Sequence, residues 1–97
     1  LTMRGHEVSL TAGGEQDAAT LFKVLQQESQ LAELEITGAK ILFNTGRCNP
    51  NDALLKLSAQ VPEVAFRAAI TMPKAGRVWN IRYSGGEAAV IDTHDEF

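Results

Sequence analysis

Val64-Ala65-Phe66-Arg67-Ala68-Ala69-Ile70-Thr71-Met72 is the stretch on which the fold turns. Val64, Phe66, Ala68, Ile70 and Met72 alternate with Ala65, Arg67, Ala69 and Thr71, a period of two that gives a strand one buried face. Residues 73–76 (Pro-Lys-Ala-Gly) follow as a turn, and residues 78–83 alternate again. Ser84-Gly85-Gly86 then predicts a hairpin turn into a strand over residues 87–92. Residues 93–97 are polar and are expected to be a frayed tail.

Upstream the period changes twice. Asn49 is a natural cap, Pro50 suits the first helical position and Asp52 complements the helix dipole, so a helix starts there. Leu54, Leu57 and Val61 form its apolar stripe and Pro62 ends it. Glu7–Ala12 alternates as a strand, and Gly13-Gly14 breaks it. Ala18, Leu21, Phe22 and Leu25 then share one helix face, with Glu15 and Asp17 in the first turn and an end expected near Gln30. Residues 33–37 predict a strand, Gly38 a turn or bulge, and residues 40–45 a more buried strand around Ile41-Leu42-Phe43. The order predicts one α+β domain over residues 1–97. Its expected form is a ferredoxin-like β-α-β-β-α-β-β arrangement, an antiparallel-rich sheet with two helices on one face.

Size and composition agree with one globular core: 97 residues, 44% hydrophobic and 22% charged. No apolar run approaches the roughly 18–20 residues that span a bilayer. Residues 1–10 carry Arg4 and Glu7 and lack the apolar centre of a secretory signal. The single cysteine, Cys48, leaves no internal disulfide to form. A reduced, cytoplasmic setting is the expectation.

Between Phe43 and Glu87 the chain also resembles a known family. A strand ending in Thr45, a Pro-started helix, Leu54…Leu57-Ser58, then Val61-Pro62-Glu63-Val64-Ala65-Phe66 and the later Gly86-Glu87 pair carry the likeness. These are similar to the YubB-like ferredoxin-like domain proteins that plasmids and phages carry. Gly46-Arg47 departs from the family pattern, which places an aromatic residue after the threonine. The resemblance implies a ferredoxin-like fold and a mobile-element origin, and it brings no activity or catalytic residue.

Few reactive constellations are present. His6, Cys48 and His94 are far apart, with no CxxC or HExxH spacing, so neither a metal nor a cofactor is expected. Cys48 precedes a helix N-terminus beside Arg47, and both would lower its pKa. A small residue packed at a strand–helix junction is the commoner meaning of such a cysteine, and no enzyme is expected. Gly13-Gly14 before a helix lacks the lysine of a phosphate loop, and Glu15 and Asp17 already occupy the positive end.

Charge is unevenly spread. The net charge of −3 comprises −4 over residues 1–39, +5 over residues 40–82 and −4 from residue 83 onward. Lobes of opposite sign steer encounter with a complementary surface. The expected function is therefore a small non-catalytic binding module, for another protein or for a second copy of itself. The alternative is single-stranded nucleic-acid binding through a basic and aromatic strand face, with Arg67, Lys74, Arg77, Trp79, Arg82 and Tyr83 as its residues.

Overall fold

A computed structural model of the chain describes residues 6–28, 31–45, 49–72 and 77–95, with backbone alone for 72, 77 and 92–95. The elements are β1 (Glu7–Ala12), α1 (Glu15–Leu25), β2 (Ala32–Thr37), β3 (Lys40–Asn44), α2 (Pro50–Gln60), β4 (Phe66–Met72), β5 (Arg77–Ser84) and β6 (Glu87–Asp95). All six strands join one antiparallel sheet in the order β2-β3-β1-β4-β5-β6. The α+β class is as predicted. The sheet order differs from that of a ferredoxin-like sheet, because β5 and β6 continue the sheet beyond β4.

Strand parity decides which side chains the helices cover. Val8 stands opposite Phe43 and Ile70, Leu10 opposite Ile41 and Ala68, and Phe66 opposite Tyr83. All of these are buried, as are Ala18, Leu21 and Leu25 of α1 and Leu54 and Leu57 of α2. Burying a side chain of Leu or Phe size contributes about 1.5–3 kcal/mol, so this layer holds the helices on the sheet. Helix α1 packs over β1, β3 and β2, and α2 packs over β5 and β6. Among the described residues no helix covers the opposite face of the sheet.

The helix ends follow local chemistry. Asn49 Oδ1 accepts from the backbone N–H of Asn51 at 2.9 Å and of Asp52 at 3.2 Å. Pro50 begins the helix, as its fixed φ allows. Helix α1 starts at an extended Gly14 with no side-chain cap, leaving Glu15 and Asp17 to complement its dipole. It ends at Leu25, earlier than predicted. The bonds from Gln27 N–H to Val24 O and Glu28 N–H to Leu25 O tighten that last turn.

Two boundaries differ from expectation at the other end of the chain. Strand β4 opens at Phe66, since Val64 N–H is spent on a turn bond to Val61 O. Strand β6 runs on to Asp95, so residues 93–95 are not a frayed tail: Thr93, His94 and Asp95 stand opposite Trp79, Val78 and Arg77. A bulge at Ile91 resets the register between the pairs Ile81–Val90 and Asn80–Asp92. Gly85 and Gly86, at φ 56° and 84°, make the tight turn before it, the sign pattern of a type I′ hairpin. The predicted turn at residues 73–76 lies outside the described residues.

Candidate binding groove at the outer hairpin

A mismatch of dimensions leaves part of the helix-side face bare. Six strands at about 4.8 Å spacing span about 24 Å between the outer axes, against about 20 Å for two helices side by side. Each helix has 11 residues, hence about 16 Å, whereas the nine residues of β6 extend about 30 Å. The outer hairpin therefore outruns its cover. A cavity of about 430 Å³ opens there, between the start of α2 and strands β4, β5 and β6.

Its floor is built by alternate residues of adjacent strands: Ile70, Trp79, Ile81, Ala88 and Val90. His6, Asn49, Pro50 and Asn51 line the helix side, so one wall is apolar and the other can hydrogen-bond. Val90 remains 60% exposed, and the neighbouring Ile91 52%. The Trp79 indole N–H is buried and has no acceptor among the described residues. A buried bond of this kind, when left unmade, costs about 1–3 kcal/mol.

Two fixed contacts frame the groove. The backbone N–H of His6 donates to Thr45 Oγ1 at 3.1 Å, and Thr45 N–H donates to His6 O at 3.0 Å, anchoring the start of β1. The Tyr83 hydroxyl donates to Asn51 Oδ1 at 2.9 Å, tying β5 to the first turn of α2. Its ring is fully buried and stacks on Phe66 with centroids 5.3 Å apart. Burial pushes the Tyr83 phenol up to about 12.

The structure divides the residues that the sequence grouped as a nucleic-acid face. Arg67 and Arg82 stand directly opposite each other and are exposed on the helix-free side. Trp79 faces the helices and is half-buried, while Tyr83 lies in the core. The sheet thus separates arginines from aromatics, and Tyr83 cannot serve as a stacking surface. The parity of residues 79, 81 and 83 against 80 and 82 already contained that separation. Lys74 lies outside the described residues, and of Arg77 only the backbone is described, opposite Met72 and Asp95.

Of the groove residues sequence reasoning assigned only Trp79 to a site, and missed His6, Asn49, Pro50, Asn51, Ile70, Ile81, Ala88 and Val90. Ile70, Ile81 and Val90 carried a signal, as apolar positions of strands. Gathering them with a helix N-terminus needs the sheet order. On the helix-free face, Arg67 and Arg82 share a shallow depression with Thr11 and Gly13, and Glu7, Glu33 and Glu35 line another with Ser9 and Leu42. Among the described residues no group of three or more His, Cys, Asp or Glu side chains could hold a metal ion. Cys48 lies outside those residues. No described helix is long and apolar enough to cross a membrane.

Comparison of the chain with protein-family models, with curated proteins and with solved structures gives no match.

Proposed function

We propose that this protein is a non-catalytic binding module whose ligand is another protein, bound at the outer hairpin. The observation that carries this reading is the junction of two features in one place. Among the described residues strand β6 is an outer edge nine residues long, and the apolar groove of Trp79, Ile81 and Val90 adjoins it. An edge with unpaired backbone groups beside a side-chain pocket is how small domains take protein segments. The ferredoxin-like likeness enters here as a finer reading of the fold. Strands β2-β3-β1-β4 would be its core, with β3 inserted between β1 and β2 and β1 between β3 and β4, lengthened by the outer hairpin. The YubB-like resemblance and a mobile-element origin belong to the same reading.

The test is affinity capture with the wild-type chain and with Val90→Lys, which puts a charge on a side chain already 60% exposed and so leaves the core intact. The expected outcome is a protein retained by the wild type and released at least tenfold by the variant. Equal retention by both would move the binding surface elsewhere.

A second reading, binding of single-stranded nucleic acid, draws on one observation. Arg67 and Arg82 face each other across β4 and β5 with no carboxylate partner among the described residues, an unfavourable like-charge pair that a phosphate would relieve.

A further inference from the structure

The two edges of the sheet are unlike. Strand β2 has six residues, is interrupted by a bulge between Ala32 and Glu35, and carries Glu33 and Glu35. Charges, short length and bulges are the devices that keep an edge from pairing with another chain. Strand β6 has nine residues with neither lysine nor proline, and its first half is Glu87-Ala88-Ala89-Val90. Its bulge falls at Ile91, which leaves residues 87–90 an uninterrupted segment beside the groove.

Charge narrows the occupant further. The strand carries Glu87, Asp92 and Asp95 and no lysine or arginine. Opposite charges across a strand pair stabilise it, and like charges destabilise it. A second copy pairing β6 with β6 would set an acidic strand against an acidic strand. A strand with lysine or arginine flanking an apolar residue meets complementary charge instead.

We propose that β6 receives an extended basic–apolar protein segment as a seventh, antiparallel strand, with one apolar side chain seated between Val90 and Trp79. This rests on the protein-binding reading and specifies the partner's chemistry. Because side chains alternate across a strand, only every second residue of the segment enters the groove. The others face the helix-free side, toward the Ala89 position.

The single tryptophan makes the site self-reporting. Peptides of roughly eight residues, a common strand length, alternating lysine with valine, leucine, methionine or threonine, are titrated into the 15N-labelled chain. The expected result is a shifted Trp79 indole resonance and at least tenfold slower hydrogen exchange at outward-facing amides of residues 87–90. The acidic counterparts, alternating glutamate with the same residues, should bind at least tenfold more weakly. Val90→Lys should abolish the response, and Ile36→Lys, at the β2 edge, should keep it. Three results overturn the proposal: no shift at millimolar peptide, equal response to the acidic series, or protection that rises with protein concentration alone and so reports a second copy. If the peptides fail while a captured protein still depends on Val90, strand addition is wrong and the protein-binding reading survives.

Discussion

Tyr83 puts a titratable group into the core, and the sign of its effect on stability follows from the shift. Burial raises the phenol from 10.0 to about 12, so over that interval the folded chain keeps a proton that the unfolded chain has lost. Stability is complete below the lower value and falls as pH rises through the higher one, by about 2–3 kcal/mol at 1.36 kcal/mol per pKa unit. The phenolate would also lose its bond to Asn51 Oδ1. Tyr83→Phe should cost about 1 kcal/mol at neutral pH and remove this alkaline loss. Urea titrations of both chains at several values between pH ~9 and ~12 read the difference, and parallel curves would refute the assignment. The hydroxyl of Ser58, buried in α2, also ties strand to helix. It accepts from Gly86 N–H at 2.9 Å and fixes the hairpin turn against α2.

Elements differ in how much of their end structure resides in one side chain. Helix α2 has a true side-chain cap, so Asn49→Ala frees the N–H groups of Asn51 and Asp52 and should cost about 1 kcal/mol. Thermal unfolding measures it, and a change below ~0.2 kcal/mol would show that water replaces the cap. Both helices and all six strands were legible in the sequence, because period and punctuation are local properties. The end of α1 and the start of β4 were not, since they depend on where a turn bond is made. The length of β6 was hidden for another reason: Thr93, His94 and Asp95 show no apolar alternation and are held by backbone pairing with β5. The groove was least legible. It exists because β5 and β6 are longer than α2, a comparison between elements that neither sequence pattern contains.

At the scale of the whole molecule, the sheet works as a partition that assigns chemistry to opposite sides. Its helix-free face carries both the Arg67–Arg82 pair and the depression lined by Glu7, Glu33 and Glu35. With a net charge of −3 as well, phosphate chains meet repulsion beside that basic strip. Fluorescence anisotropy should therefore show no binding of mixed-sequence single-stranded DNA or RNA at ~50 mM salt. Binding that disappears by ~200 mM would instead promote the Arg67–Arg82 reading. The central place of β1 has a consequence for how the chain is made. Its partners β3 and β4 lie about thirty and about sixty residues further along, and translation adds roughly 5–20 residues per second. For several seconds of every synthesis, Val8 and Leu10 have been translated while the strand that closes over their second side has not. The ribosome thus releases the middle of this sheet first and its flank later, and the nascent chain carries a half-paired apolar strand in the interval.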